Sequence, residues 1–370
     1  MSERIQIVAT VILISAAVAT AALISARSQG QNFEALREVI SVDDSAEINQ
    51  LPNGTKYLIH PSNLLQGCPG RDCIPSIDRP KFVSIQQADR WIGDDELVIG
   101  VRLNGVVKAY PIKILNLHEI VNDDFAGEPV AVTYCPLCRS GLTFKRTVED
   151  VVLEFGVSGK LFNSDLVMYD RQTESYWGQL LGRAIVGSLT GVKLDVVPTD
   201  IVPWENWKRA WPDSLVLSRE TGIYPSFAYR GNPYGSYDTN SQVGFGVRFN
   251  DNQLHPKAIV YGALVDGVPK AYAEETIQRV KLINDEVGSV PILIVQDPET
   301  GGVRIFRREL DGEVLSFELR EERLFDRSDR EWRFTGESIS GEANLEPINA
   351  PGHFWFAWTA FYPATELHQP

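Results

Sequence analysis

The amino-acid sequence predicts a mainly β (α+β) protein made of a tandem duplication of one β-rich, barrel- or sandwich-like domain, preceded by one N-terminal transmembrane helix. Short segments of alternating apolar and polar residues, divided by Gly, Asn and Asp, predict antiparallel strands. A motif that recurs along the chain indicates the duplication, and an apolar run near the start indicates the helix. In a chain of 370 residues, each copy is long enough to bury its own core.

The N-terminal helix is predicted over residues 5–26, which are apolar apart from Gln6 and a few Ser and Thr. A helix of this length can span a bilayer, and Arg4 in front of it places residue 1 in the cytoplasm by the positive-inside rule. We therefore expect a single-pass cell-membrane protein whose body lies on the extracytoplasmic side, periplasmic or extracellular. Cleavage of a signal segment near residues 17–21 is the alternative, but the apolar run continues past that point and favours an uncleaved anchor.

The strands of the first copy follow from alternation and turn residues. Residues 97–103 and 106–110 form a predicted hairpin around Asn104-Gly105, a dipeptide typical of tight turns. The remaining predicted elements of this copy are strands over 129–134, 142–146, 151–157 and 166–169, helices over 84–92 and 204–211, and one helical turn over 111–117.

The duplication is visible as a six-residue motif that occurs twice. Residues 105–110 read GVVKAY, and residues 267–272, at an offset of 267 − 105 = 162, read GVPKAY. Matches of this kind along a chain indicate two copies of one unit. Further matches are Asn122-Asp123 with Asn284-Asp285, Phe144 with Phe306, Phe155 with Phe317, Trp177 with Trp332, Trp204 with Trp355 and Trp207 with Trp358.

The matches divide the chain into four segments. Residues 1–32 hold the cytoplasmic end, the anchor or signal segment and a stalk, and residues 33–218 form the first repeat. Residues 219–255 are a linker rich in Gly and Tyr, and residues 256–370 form a second, degenerate repeat. A linker of this length could fold over the site in the first repeat, or it could pack between the domains.

Charge and composition limit the partners. The net charge of −14 repels phosphate backbones, so a nucleic-acid partner is not expected. The membrane is the one predicted partner, through the N-terminal helix, and a protein or small-molecule partner remains unknown.

The first repeat contains reactive side chains that the second repeat lacks, although the glycines and tryptophans of the fold recur in both. This pattern indicates that the first repeat holds the site and that the second is a scaffold or lid; independent drift is the alternative. The replaced pairs are His118 and Val280, Cys135 and Asp297, Cys138 and Thr300, and Met168 and Leu324.

The preferred hypothesis for this site is a soft metal ion. A Cys-x-x-Cys turn allows the thiolates of Cys135 and Cys138 to bind one ion, and His118 precedes a strand expected to pair with the cysteine strand. With the thioether of Met168, these ligands suit copper or zinc. Glu119 could orient His118 or act as a general base. Met168 as core packing and His118 as a hydrogen-bonded structural residue remain open.

Two other functions remain open. The first is an enzyme that carries out thiol–disulfide or Cys-nucleophile chemistry, with His118 or Glu119 as base and Lys160 as a polar group of the pocket. A thioredoxin-like site needs a helix after the motif, and the residues after Cys138 predict a turn into another strand. The second is a non-catalytic interaction module in which Cys135 and Cys138 are simply oxidised.

Cys68 and Cys73 lie in the segment GCPGRDC, a tight loop with Gly and Pro. Outside the cell such a loop favours a local structural disulfide, and a redox switch is the alternative.

The motifs together resemble an uncharacterised family of exported prokaryotic proteins, domain of unknown function 3179. The segments that carry the resemblance are IPSIDRPKF from residue 74, LHEIVND from residue 117, VTYCPLCRSGLTFKR from residue 132 and FGVSGKLFNSDLVMYDRQTESYW from residue 155. The resemblance implies no settled activity. It singles out the His118-Glu119 pair, the Cys135 and Cys138 motif and residues 158–160. The family tends to have glycines where this chain has Cys68 and Cys73, which supports a structural disulfide particular to this protein.

Overall fold

The computed structural model describes residues 46–249 and 251–369. The predicted transmembrane helix over residues 5–26 and the stalk lie outside the described residues. Within the described residues, none of the helices has the length and apolar character that a membrane span requires.

Antiparallel strands dominate the described residues, and the predicted mainly β class is confirmed. In the first half of the chain the strands are β1 (Asn49–Gln50), β2 (Lys56–Tyr57), β3 (Leu65–Gln66), β4 (Phe82–Ser84), β5 (Leu97–Leu103), β6 (Val106–Pro111), β7 (Ile120–Phe125), β8 (Glu128–Cys135), β9 (Ser140–Lys145), β10 (Thr147–Val148), β11 (Val151–Val152), β12 (Phe155–Phe162), β13 (Asp165–Asp170), β14 (Tyr176–Gly178), β15 (Arg183–Val186), β16 (Val196–Val197), β17 (Thr199–Pro203) and β18 (Leu215–Leu217).

The second half continues with strands of similar length. They are β19 (Ile259–Val265), β20 (Val268–Ala273), β21 (Leu282–Val287), β22 (Val290–Gln296), β23 (Val303–Arg307), β24 (Glu309–Leu310), β25 (Glu313–Val314), β26 (Phe317–Arg320), β27 (Arg323–Asp326), β28 (Glu331–Trp332), β29 (Pro347–Ile348), β30 (Gly352–Phe354) and β31 (Glu366–Leu367).

The helices are short and join or flank the strands. They are α1 (Ile85–Ala88), α2 (Ile112–Leu115), α3 (Trp204–Ala210), α4 (Glu274–Val280) and α5 (Trp355–Phe361), with 3-10 turns over Pro61–Asn63 and Ser226–Arg230. Ser84 starts α1 with a capping box shared with Gln87. The helix predicted over 84–92 is therefore present but ends after one turn. The strand predicted over 151–157 is divided between β11 and β12.

The sheets of the two halves have matching strand orders. In the first half the orders are β17-β5-β6-β18-β4, β16-β9-β8-β7 and β1-β2-β15-β14-β13-β12-β3, with the hairpin β10-β11. In the second half they are β30-β19-β20-β31, β29-β23-β22-β21 and β28-β27-β26, with the hairpin β24-β25. In both halves a strand parallel to its neighbour lies beside the second strand of the first hairpin: β18 beside β6, and β31 beside β20. Barrel- or sandwich-like closure remains a prediction.

Individual hydrogen bonds also recur. In the first half, Lys108 and Tyr110 both donate to the Asp123 carboxylate. In the second half, Lys270 forms an ion pair with Asp285, and the Tyr272 hydroxyl donates to the same carboxylate. The Trp177 indole donates to Asp170, and the Trp332 indole donates to Asp326.

Each half places a tryptophan of its closing helix directly against a strand glycine. Trp207 of α3 packs on Gly100 of β5, and Trp358 of α5 packs on Gly262 of β19. A Cβ atom at Gly100 would lie 2.0 Å from Cζ3 of Trp207. Glycine is required here because an indole ring occupies the volume of any side chain.

The two halves contact one another at polar and backbone groups. Arg304 forms an ion pair with Asp200 at 2.5 Å, and Asn206 donates to the Thr300 carbonyl at 3.1 Å. The backbone N–H of Phe354 in β30 donates to the carbonyl of Cys138 at 3.0 Å. The second half therefore contacts the cysteine motif itself.

Candidate functional site

The Cys-Pro-Leu-Cys motif forms a tight turn between two strands. Cys135 ends β8 and pairs with Ser140, the first residue of β9. The backbone N–H of Cys138 donates to the Cys135 carbonyl at 3.2 Å, and Arg139 completes the turn with a positive φ of 54°. Both cysteines are free thiols and fully buried. The turn therefore leads into a strand, which is the prediction that separated this motif from a thioredoxin-like site.

A carboxylate joins the two thiols. One potential ligand atom from each of Cys135, Cys138 and Asp165 lies within 4.8 Å of the other two, and all three residues are buried. Asp165 begins β13, where the Leu180 N–H donates to Oδ2 at 2.9 Å and the Ser140 hydroxyl donates to Oδ1 at 3.3 Å. These bonds hold the carboxylate beside the thiols.

The acidic groups of this pocket favour their protonated forms. Burial raises the pKa of the Cys135 and Cys138 thiols, and it raises the pKa of Asp165 to about 7. Burial and the neighbouring Asp165 raise the pKa of Glu119 to about 8. Without a cation the pocket is therefore close to neutral, and a bound cation would displace protons from it.

His118 lies outside this group of ligand atoms. Nδ1 is 2.7 Å from the Pro75 carbonyl and Nε2 is 2.8 Å from the Tyr229 hydroxyl, so both ring nitrogens already have partners. A carbonyl only accepts, so Nδ1 donates to Pro75, and the Tyr229 hydroxyl donates to Nε2 of the neutral ring. Burial lowers the pKa of His118 to about 4. The structure thus gives His118 hydrogen-bonding partners in the irregular segment after the disulfide loop and on the linker.

The hydroxyl of Tyr229 is expected to contribute measurably to stability, because it is buried between His118 and the Thr221 hydroxyl at 2.7 Å. Tyr229→Phe leaves buried polar atoms without a partner, which costs about 1–2 kcal/mol of unfolding free energy. Urea unfolding at pH 7 measures the loss. Tyr224→Phe is the matched control, because the Tyr224 ring packs 5.3 Å from the His118 ring without a hydrogen bond to it. Equal stability of the two variants would contradict the expected role of the hydroxyl.

Met168 is fully buried in β13, opposite Val157 and Trp177. It belongs to the same apolar cluster as both cysteines, together with Phe155 and Phe144. Its position is therefore that of a core residue close to the motif.

Lys160 and the two residues before it hold the disulfide loop. The Gly159 carbonyl accepts from the N–H groups of Gly67 and Cys68 at 2.9 and 3.2 Å, and the Lys160 backbone pairs with Gln66. A Cβ at Gly159 would lie 2.4 Å from the Gly70 carbonyl oxygen. The Ser-Gly-Lys motif therefore forms an irregular step in β12 on which the loop packs. The loop carries the Cys68–Cys73 disulfide, and that prediction is confirmed.

The linker and the second half cover the cysteine turn. The Tyr237 hydroxyl donates to the Leu137 carbonyl at 3.1 Å. The Lys257 ammonium donates to the Tyr237 carbonyl at 3.0 Å and faces the rings of Tyr237, Phe354 and Phe356. Burial lowers the pKa of Lys257 to about 7. Tyr237 of the linker therefore contacts both the cysteine turn and Lys257 of the second half.

Sequence reasoning missed Asp165, Tyr237 and Lys257. The residue matched to Asp165 in the second half is Glu321, which is also acidic but exposed. A comparison of the two halves therefore could not single out Asp165, because both positions are acidic. Tyr237 and Lys257 lie 237 − 138 = 99 and 257 − 138 = 119 residues after Cys138, and only the fold brings them together.

Comparison with known proteins supplies the family and nothing further. No curated protein and no solved structure matches the chain. The model of one family, described as "Protein of unknown function (DUF3179)", matches residues 71–365. Since the match covers most of the chain, this protein belongs to that family.

Proposed function

We propose that this protein binds a soft metal ion, zinc in preference to copper, through Cys135, Cys138 and Asp165. The observation that carries the proposal is the convergence of two thiols and a carboxylate within 4.8 Å in a fully buried pocket. Neighbouring ligands of a tetrahedral zinc ion are about 3.5–4 Å apart, so this spacing fits the ion with small adjustments.

The donor types favour zinc. Thiolates bind both copper and zinc, whereas a carboxylate oxygen is a common ligand of zinc and a poor one for the softer cuprous ion. Two thiolates and one carboxylate carry three negative charges, which compensate the cost of placing a divalent cation among apolar side chains. The charge of Asp165 contributes to the raised pKa of Glu119, which makes Glu119 our candidate for the fourth ligand.

His118 has a supporting role in this proposal. Its ring connects the chain before β7 to the linker through Pro75 and Tyr229, so it helps to keep the linker over the site. Met168 packs beside the motif and would enter the ligand set only for a copper ion.

Thiol chemistry is less well supported. Two adjacent free thiols could form a disulfide, but a reactive cysteine needs a lowered pKa, and burial raises the pKa of both thiols. The absence of a helix after the motif removes the other usual means of activating such a thiol.

We also infer the tandem duplication and the extracytoplasmic location. The matching strand orders and the recurring hydrogen bonds of Asp123 and Asp285 support the duplication. The apolar run over residues 5–26 supports a membrane anchor, which would place the metal site outside the cytoplasm.

Elemental analysis of the purified full chain, exposed to zinc and then dialysed, tests the proposed function. We expect about one zinc ion per wild-type chain and a loss of at least tenfold in the Cys135→Ser, Cys138→Ser double variant, since both thiolate ligands are removed. Cobalt provides a second measurement, because thiolate coordination produces a charge-transfer absorption that the double variant should lack.

Two further variants sharpen this test. Asp165→Asn should bind zinc more weakly by about tenfold, a loss of about 1.4 kcal/mol. Met168→Leu is the matched control within the same apolar cluster and should keep the wild-type zinc content. Equal metal content in the wild type and the double cysteine variant would overturn the proposal.

A further inference from the structure

A cavity adjoins the cysteine turn, because Pro136 and Arg139 form part of its lining. Its volume is about 400 Å³, which lies within the range of about 300–1,000 Å³ typical of small-molecule sites. Its walls come from three parts of the chain. The first repeat contributes Tyr134 and Pro136, the linker contributes Asn232 and Tyr234, and the second half contributes Phe354.

The lining of this cavity carries a net positive charge, whereas the chain as a whole carries a net negative charge. Its lining includes the cations Lys113, Arg139, Arg230 and Lys257 and the acids Glu96 and Asp238. Lys113 and Glu96 pair with each other at 2.6 Å. Three cations therefore face one carboxylate, in a protein whose net charge is −14.

Among the described residues, these three cations have no ion-pair partner. In the part of the chain that the structure describes, no carboxylate lies within 4.0 Å of the charged nitrogens of Arg139, Arg230 or Lys257. The Lys257 ammonium is buried against aromatic rings, and Nη1 of Arg139 is buried without a hydrogen-bond partner. Buried positive charge without a counterion is unfavourable, and a bound anion would compensate it.

We propose that this cavity binds a small organic anion that carries a carboxylate or phosphate group. Arg139, Arg230 and Lys257 would neutralise the anionic group, and Tyr134, Tyr234 and Phe354 would contact the apolar remainder of the molecule. The inference goes beyond metal binding, because the lining of the cavity contains neither thiol and does not include Asp165. The anion would lie beside Pro136 of the turn that holds both cysteines.

Binding of defined anions to the full chain tests this inference. Inorganic phosphate, glycerol 3-phosphate and succinate are titrated at constant ionic strength against chloride, with thermal unfolding and calorimetry as readouts. We expect saturable binding of at least one of them. A preference for the two phosphates or for succinate identifies which anionic group the site takes. Arg139→Gln and Arg230→Gln should each weaken the binding about tenfold, the loss of one charge-assisted contact worth about 1.4 kcal/mol.

Two controls separate this result from other causes. Arg320→Gln removes an arginine that pairs with Glu318 and Asp329 outside the cavity, and it should bind the anion as the wild type does. The double cysteine variant should also bind the anion, so failure of the metal proposal and failure of the anion proposal are distinguishable. Arg230 is exposed, so its variant should fold even if the Arg139 variant does not. Absence of binding by all three anions, or equal binding by wild type and Arg230→Gln, would overturn the inference.

Discussion

Gly100→Ala is expected to reduce the free energy of unfolding by about 3 kcal/mol, the upper end of the usual cost of overpacking a core. The added Cβ would lie 2.0 Å from Cζ3 and 2.4 Å from Cη2 of Trp207, an indole that is itself fully buried. The ring cannot move away easily, because its Nε1 donates to the Ser214 hydroxyl at 3.0 Å. Urea unfolding followed by tryptophan fluorescence measures the change.

The second half offers a repetition of this test, and the linker offers a control. At Gly262 the Cβ would lie 2.3 Å from Cε3 of Trp358, so Gly262→Ala should cost a similar amount. Gly231→Ala should leave stability unchanged within about 0.5 kcal/mol, because no atom lies within 4 Å of its Cβ position and its φ is −114°. Wild-type stability of Gly100→Ala would mean that the indole is not held against β5.

Glu119 should make the metal-free protein less stable as the pH rises from 6.5 to 8. In the unfolded chain the pKa of this carboxyl is near 4.5, and burial raises it to about 8 in the folded protein. Over this range the folded state keeps the proton and the unfolded state releases it, so a higher pH favours unfolding. The stability present at low pH is therefore lost as the pH approaches the folded pKa, on the order of 2 kcal/mol over this interval.

The isosteric variant Glu119→Gln cannot ionise and should lack this contribution, so its free energy of unfolding relative to that of the wild type should rise from pH 6.5 to pH 8. Urea unfolding in the presence of a chelator, at pH 6.5, 7.2 and 8, compares the two proteins. Asp165, with its pKa raised to about 7, loses stability over the same interval, whereas Lys257, with its pKa lowered to about 7, gains it, so these two contributions oppose one another in both proteins. Burial lowers the pKa values of His118 and His353 from 6.5 to about 4 and about 3, so both groups favour the folded state as the pH rises from 6.5, and they do so equally in the two proteins.

The exposed variant Glu313→Gln is the matched control and should keep the wild-type pH dependence. If Glu119→Gln shows the same slope as the wild type, Glu119 is not the group that titrates.

The strands could be predicted where alternation and turn chemistry agree. The hairpin of β5 and β6 follows from alternating residues around Asn104-Gly105. Strand β7 was harder to recognise, because five of its six residues are buried and its sequence does not alternate. The helix at Ile85–Ala88 stops early, since residues after it form turns that local propensity does not reveal.

The candidate site could be predicted only in part. The expected pairing of the strand after His118 with the cysteine strand is present, because β7 pairs with β8 and the Tyr134 N–H donates to the Glu119 carbonyl at 2.8 Å. His118 and Glu119 are adjacent in sequence, however, and Glu119 is the one whose charge acts on the Cys135 thiol. The sequence pattern predicted the strand pair, but it could not decide which of these two residues would act on the cysteines. Asp165 reaches the thiols through a contact between sheets, which has no signature in local sequence.

The backbone hydrogen bond from Phe354 to Cys138 makes the cover of the cysteine turn part of the same chain. A cover supplied by a separate protein would have to associate first, so the fraction of covered turns would depend on protein concentration. Covalent attachment removes that dependence, and the turn is covered at any dilution.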